Sequence, residues 1–71
     1  MSDVVANFVH KLRTKEKVTQ EELACSVGVT RQTIIAIEKG NYTPSILLAL
    51  KLAKFFNRPV EEIFKIDYKS S

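Results

Sequence analysis

The fold is decided by residues 19–40, TQEELACSVGVTRQTIIAIEKG, which predict two short helices joined by a tight turn. Thr19 can cap the first of these helices, and Glu22 three residues later completes a capping box, in which each residue satisfies a backbone N–H of the other. Gly28 supplies the left-handed conformation that ends this helix. Thr30 caps the second helix only two residues after Gly28, so we expect a helix-turn-helix.

Helices are also predicted on both sides of this motif. A first helix would be capped by Ser2 or Asp3, because apolar residues follow at spacings of three and four. A fourth helix would be capped by Thr43, with Pro44 at its first position, where the missing N–H costs nothing. It would cover residues 45–56 and is apolar on most of its circumference, which is typical of a helix at the centre of a bundle or in a subunit interface.

The C-terminal part of the chain shows two different patterns. Residues 60–64 predict one or two further helical turns after the fourth helix ends at Asn57. Residues 65–69 alternate polar and apolar side chains, a period that a short strand would show. We therefore expect one all-α domain over residues 1–71, with five short helices and a tail over residues 65–71 that could form a strand.

Length and composition exclude several classes of protein. A chain of 71 residues has room for one core and buries only about 60% of the surface that its unfolded form exposes. Cys25 is the only cysteine, so the chain has no internal disulfide and no cysteine-based metal site, as expected in a reducing cytoplasm. No apolar run approaches the roughly 18 residues that span a bilayer. We expect a cytoplasmic protein without membrane contact and without a cofactor.

Basic residues are concentrated in one part of the sequence. The net charge is +3, and residues 31–58 hold five cationic side chains against one carboxylate, that of Glu38. A concentrated positive face favours a polyanionic partner such as DNA. Excess Lys and Arg is also a common means of keeping a small protein soluble, so the charge by itself leaves both interpretations open.

Several segments of the chain together resemble a known family. They are TQEELA at residues 19–24, VGVTRQTI at 27–34, IEKG at 37–40, PSI at 44–46, ALKLA at 49–53 and VEEIF at 60–64. This pattern resembles the Cro/repressor helix-turn-helix family, also called XRE-type regulators, over residues 12–64. The resemblance implies a compact, repressor-like domain that binds double-stranded DNA and regulates transcription. It implies no enzyme, and the sequence contains no nucleophile elbow or Gly-rich phosphate loop.

The second helix of the motif is the expected recognition helix, because its N-terminal end would enter the major groove. Arg31 can pair with O6 and N7 of guanine, and Gln32 with N6 and N7 of adenine. Thr33 is a further hydrogen-bonding side chain at this end, and Ala36 can meet a thymine methyl group. The alternative is that these residues are only the solvated first turn of an amphipathic helix.

Other residues are expected to hold the DNA backbone without reading its sequence. The predicted phosphate contacts are Gln20, Thr30, Lys39, Asn41, Tyr42 and Thr43. Gln20 lies in the first turn of its helix, where free N–H groups favour phosphate, and the loop after the recognition helix matches the family's backbone-contacting loop. An ordinary polar loop is the alternative. The resemblance also implies an ion pair between Arg13 and Glu38 that orients the recognition helix.

A homodimer is expected, because one such domain reads only about four or five base pairs, too few to find a site in a genome. A two-fold dimer would place its recognition helices about 34 Å apart on a palindromic operator. The predicted interface consists of Pro59, Val60, Ile63, Phe64, Ile66 and Tyr68. The alternative for these residues is plain core, and for Ile63 the two alternatives are equal.

A protein-binding function is the alternative from a different class. Ile35 and Leu47 stand where the family more often carries polar side chains. With Tyr68 they would form the contact surface of an antitoxin-like chain whose main partner is another protein. No metal role is expected for His10, which has no ligand partner at a suitable spacing.

Overall fold

The computed structural model describes residues 3–68, with the side chains of residues 5–66. This part of the chain forms four α-helices, one 3₁₀ turn and a two-stranded sheet. The elements are β1 (Asp3–Asn7), α1 (Val9–Lys15), α2 (Gln20–Val27), α3 (Arg31–Glu38), α4 (Ile46–Phe56), the 3₁₀ turn (Val60–Glu62) and β2 (Phe64–Tyr68). The mostly helical, repressor-like fold is confirmed, but the count of five helices in an all-α domain is wrong.

The two ends of the described chain pair as an antiparallel sheet, in which Val5 lies opposite Ile66. The strand that the alternating tail could form is present as β2. The predicted first helix is present as α1, but its predicted start at Ser2 or Asp3 is wrong, because the chain from Asp3 forms β1 and the helix begins at Val9. Two adjacent valines in β1 favour a strand, and β2 supplies the backbone partners. Ser2 and residues 69–71 of the predicted tail lie outside the described residues.

The predicted helix-turn-helix is confirmed in its local details. Thr19 Oγ1 accepts a hydrogen bond from the backbone N–H of Glu22 at 3.0 Å, and Glu22 Oε1 accepts one from the N–H of Thr19 at 2.8 Å. Gly28 ends α2 in the left-handed conformation with φ 76°. Thr30 then caps α3 through the N–H of Thr33. These signals all act over three residues or fewer, which is why the sequence shows them.

The start of α4 differs from the prediction by two residues. Its cap is Ser45, whose Oγ accepts a hydrogen bond from the N–H of Leu48 at 3.2 Å, so the helix begins at Ile46 and not at Pro44. Thr43 is therefore not the cap. The end of α4 is as predicted, because Asn57 adopts the left-handed conformation with φ 55°.

One core holds the helices together. Its buried apolar side chains are Val9, Leu12, Leu23, Ala24, Val27, Ile34, Ile37, Leu48, Leu52, Phe56 and Ile63. The sheet joins this core where the N–H of Phe8 donates to the carbonyl of Ile63 at 2.9 Å. Every helix contributes to the cluster, so α3 is held from several sides and its outer face is free for a partner.

Candidate nucleic-acid interface

The recognition helix α3 is fixed by its inner face and exposed at its first turn. Ile34 and Ile37 are buried in the core. Arg31 and Gln32 are exposed, whereas Thr33 is half-buried. Ala36, also predicted to contact a base, is half-buried too. Two long polar side chains thus project from a helix whose opposite side is packed, which limits the freedom of the helix but not of the side chains.

The threonines at this end of α3 bond to each other. The hydroxyl oxygens of Thr30 and Thr33 are 3.2 Å apart, and Thr30 Oγ1 also accepts from the N–H of Thr33 at 3.4 Å. The hydroxyl of Thr30 is therefore used first to cap the helix. Its backbone position, at the start of α3 and exposed, remains suitable for a phosphate.

A buried ion pair ties α1 to α3. Arg13 Nε donates to Glu38 Oε2 at 2.7 Å, and Arg13 Nη2 donates to Oε1 at 3.3 Å. Only 10% of the Arg13 side chain and 7% of the Glu38 side chain are exposed. Arg13 Nη1 also donates to the carbonyl of Val18 at 2.9 Å, in the loop before α2. The structure thus brings together the two residues for which the sequence predicted an ion pair.

Two further side chains join this pair, and the sequence predicted neither contact. Gln20 Nε2 donates to Glu38 Oε1 at 3.0 Å, which links α2 to α3. His10 Nδ1 lies 3.0 Å from Arg13 Nη2 and 3.3 Å from Glu38 Oε1. Because the guanidinium only donates, Nδ1 accepts from it. We name these four residues, His10, Arg13, Gln20 and Glu38, the polar cluster.

The charge of Glu38 is favoured by this environment. Burial by itself raises the pKa of the carboxyl, but hydrogen bonds from Arg13 and Gln20 and the charge of Arg13 outweigh it. The pKa of Glu38 therefore lies below its ordinary value of 4.5. No buried polar side-chain atom among the described residues lacks a hydrogen-bond partner. The buried atoms of the polar cluster are therefore hydrogen-bonded, and its contacts link α1, α2 and α3.

The loop after α3 lies beside the recognition helix. Lys39, Asn41, Tyr42 and Thr43 are all exposed, as a phosphate contact requires. The N–H of Asn41 donates to the carbonyl of Ala36 at 2.9 Å and Gly40 is left-handed with φ 79°, so the chain turns at the end of α3 and the loop begins directly beside it. Of the six residues predicted to contact the DNA backbone, only Gln20 has its side chain hydrogen-bonded to a residue of a different helix, Glu38 of α3.

Comparison with known proteins decides the family. The family model described as helix-turn-helix matches residues 9–63. The chain belongs to this XRE-type helix-turn-helix family. It is 51% identical over 61 residues to the HTH-type transcriptional regulator YgzD of Bacillus subtilis, covering 86% of this chain and 92% of the relative. Over 55 residues it is 38% identical to RstR, a transcriptional repressor of the cryptic phage CTXphi from Vibrio cholerae, covering 78% of this chain and 50% of that repressor.

A solved structure of the family has the same fold. The restriction-modification controller protein C.AhdI from Aeromonas hydrophila superposes with a TM-score of 0.71 at 31% identity, covering 76% of this chain and 82% of that protein. This helix-turn-helix protein is therefore a DNA-binding transcriptional regulator, and its relatives are named as regulators, not as enzymes. Among the described residues no helix is long and apolar enough to cross a membrane, and no group of three metal-ligating side chains is present.

Cationic side chains of this regulator lie on and beside the motif. Arg31 is exposed at the start of α3, Lys39 is exposed directly after its end, and Lys51 and Lys54 are exposed on α4. Lys51 Nζ lies 3.9 Å from the position that a Cβ on Gly28 would occupy, so its charge sits at the C-terminal end of α2. This helix has no basic residue in its own last turn, and Lys51 supplies the positive charge that the end of a helix favours.

The residues predicted to form a dimer interface lie in different environments. Ile63 is fully buried in the core, whereas Ile66 is 58% exposed on β2. Val60 and Phe64 are half-buried, and Pro59 is exposed. The side chain of Tyr68, which was predicted in both the dimer interface and the alternative protein-binding surface, lies outside the described residues. Of the other two residues of that alternative surface, Leu47 is exposed and Ile35 is half-buried.

Proposed function

We propose that this regulator is a sequence-specific repressor that binds a palindromic operator as a homodimer, with residues 1–71 acting as one DNA-binding unit. The observation that carries the proposal is the exposure of Arg31 and Gln32 on the first turn of a helix whose other face is packed in the core. The likeness to a phage repressor supports repression as the mode of regulation.

Base reading is assigned to the first turn of α3. In the major groove the Arg31 guanidinium can donate two hydrogen bonds to guanine O6 and N7, and the Gln32 amide can pair with adenine N6 and N7. Thr33 and Ala36 are half-buried and shorter, so they can contact bases only where the groove approaches the helix closely. Each bidentate pair contributes about 1–3 kcal/mol of discrimination against the wrong base.

Backbone contacts are assigned to the two ends of the motif and to the loop that follows it. Lys39, Asn41, Tyr42 and Thr43 are exposed next to the recognition helix and carry donors suited to phosphate oxygens. Thr30 can offer its backbone. Gln20 contributes by holding α2 against α3 through Glu38, and its side chain reaches a phosphate only if it leaves that bond.

Selection of duplexes from a random pool, followed by fluorescence-anisotropy titration, tests this proposal. We expect the selected duplex to bind two protomers, with a Kd that rises steeply between about 50 and 200 mM salt. Arg31→Ala should lose about 1–3 kcal/mol on this duplex and accept several bases at one position of each half-site.

Lys15→Ala is the matched control, because it removes one positive charge on a different side of the protein. Residue 15 lies about 160° around α1 from Arg13, which contacts α3, and so it faces away from the recognition helix. We expect its affinity and base preference to stay at the wild-type values. A pool that yields no enriched sequence, or an Arg31→Ala variant with the same base preference as wild type, would refute the proposal.

A further inference from the structure

A surface pocket lies beside α1, where the chain passes from the end of α4 through the 3₁₀ turn to β2. Its lining side chains come from these elements and are Phe8, Lys11, Leu12, Lys15, Arg58, Glu62 and Lys65. We name it the basic pocket. Its volume is about 360 Å³, and sites for small molecules have volumes of roughly 300–1,000 Å³. A small ligand therefore fits the pocket.

The charges that line the basic pocket are mostly positive. Lys11, Lys15, Arg58 and Lys65 face it, against one lining carboxylate, that of Glu62. Lys11 and Lys15 lie four residues apart on α1, a spacing at which like charges repel each other. Glu62 offsets only part of this charge, because its Oε1 is bonded to Arg58 Nη1 at 3.1 Å. The pocket therefore favours an anion.

The same pocket has apolar side chains between its charges. Leu12 is buried, whereas 36% of Phe8 is exposed. Lys65 Nζ lies 5.9 Å from the centroid of the Phe8 ring, so this ring already takes part in a cation–π contact. An exposed aromatic ring among cations suits a ligand with a planar ring of its own, because such rings stack on aromatic side chains.

The proposed operator does not account for this cluster of charge. Lys11 and Lys15 each lie about 160° around α1 from Arg13. Arg13 in turn contacts Glu38 of the recognition helix α3. The two lysines thus face away from α3, and a duplex bound to α3 leaves them to another anion.

We propose that the basic pocket binds a nucleoside diphosphate. Its phosphoryl oxygens accept hydrogen bonds from the ammonium groups of Lys11 and Lys15 and from Arg58, whose guanidinium carries more N–H groups than the one bonded to Glu62. Its base packs on the exposed part of the Phe8 ring. This site is separate from the proposed reading of DNA, and neither depends on the other.

Isothermal titration of the full chain with ADP and with GDP, without divalent metal, tests the proposal. We expect each nucleotide to bind once per chain with similar Kd, because stacking on an aromatic ring tolerates either base. Adenosine, which lacks the phosphates, and pyrophosphate, which lacks the ring, should each bind at least about ten-fold more weakly, a difference of about 1.4 kcal/mol.

Two sets of variants locate the bound nucleotide. Lys11→Gln with Lys15→Gln should raise the Kd for ADP at least about ten-fold, since glutamine keeps the helix propensity and removes the charge. Lys51→Gln with Lys54→Gln is the matched control, because it removes two exposed lysines from α4, and its Kd should equal that of wild type. Phe8→Leu should weaken ADP binding and leave pyrophosphate binding unchanged, and the latter shows that the pocket is still folded.

Several results would overturn the proposal. One is a wild type that binds neither nucleotide. Another is pyrophosphate binding as tightly as ADP, which would make the pocket a site for simple anions. A control variant that loses as much affinity as the α1 variant would place the nucleotide on the surface at large. Tighter binding of a hexaglutamate peptide than of ADP would indicate an acidic protein partner instead.

Discussion

Removal of Glu38 should destabilise the fold far more than removal of an exposed glutamate. Glu38→Ala leaves the Arg13 guanidinium buried, with 10% of its side chain exposed and without its carboxylate. Breaking a buried pair by removing one partner typically costs about 3–5 kcal/mol. A chain of 71 residues has a free energy of unfolding of about 4–10 kcal/mol. The variant should therefore lose a large part of its stability and more than about 10 °C in Tm.

The chain contains its own comparison for this experiment. Arg58 and Glu62 form an exposed pair, in which Arg58 Nη1 lies 3.1 Å from Glu62 Oε1 four residues along the chain. Such a pair contributes about 0.3–0.5 kcal/mol, so Glu62→Ala should have little effect. The assay is urea unfolding followed by circular dichroism, at one fixed protein concentration because the proposed dimerisation would couple association to stability.

A double replacement shows whether the cost comes from the unpaired charge. In Arg13→Met with Glu38→Leu neither charge remains buried, so this variant should be more stable than Glu38→Ala alone. The reasoning would be refuted if Glu38→Ala cost no more than Glu62→Ala. It would also be refuted if the double variant were as unstable as the single one, since the loss would then come from packing and not from the charge.

Two further predictions concern the loss of stability in acid and the left-handed backbone at Lys17, after α1. The pKa of Glu38 is lower in the folded chain than its ordinary value of 4.5, so the folded state binds fewer protons than the unfolded state near that pH. The ionised Glu38 carboxylate therefore contributes its full stability above about pH 4.5, and this contribution is lost as the pH falls below that value. Glu38→Gln should therefore show a shallower fall of Tm with acid than wild type, and an identical slope would contradict this. Lys17 has φ 60°, a left-handed conformation that costs an L-residue about 1–2 kcal/mol. Glycine adopts this conformation freely, but its greater freedom in the unfolded chain lowers the free energy of unfolding by about 0.5–1 kcal/mol. Lys17→Gly should thus gain up to about 1 kcal/mol in urea unfolding, with Lys17→Ala near wild type; a loss on introducing glycine would show that the backbone there is not strained.

The part of the fold that the sequence predicts is the part held by local interactions. The capping box of Thr19 and Glu22 and the left-handed Gly28 act within one turn of a helix, so the residues themselves carry the signal. The first strand could not be predicted in this way. Val5 pairs with Ile66, some 60 residues away, and without that partner the apolar spacing before α1 favours a helix.

The same distinction separates the site residues. Arg31 and Gln32 could be placed on an exposed first turn because periodicity shows which face of α3 is buried. The bond from Gln20 to Glu38 could not, since it depends on how closely α2 and α3 approach each other. The contact of His10 with Glu38 likewise depends on how α1 packs against α3. Both side chains are polar and lie at helix ends, where the sequence favours solvent or a ligand over a neighbouring helix.

Two separate groups of residues then govern two separate properties of the proposed complex. The polar cluster and the core fix α3 within one protomer, and the proposed dimer contact would set the distance between the two recognition helices. Base preference depends on Arg31 and Gln32, which take no part in those contacts. Substitutions at these two positions should therefore change the sequence of a half-site without changing the distance between half-sites.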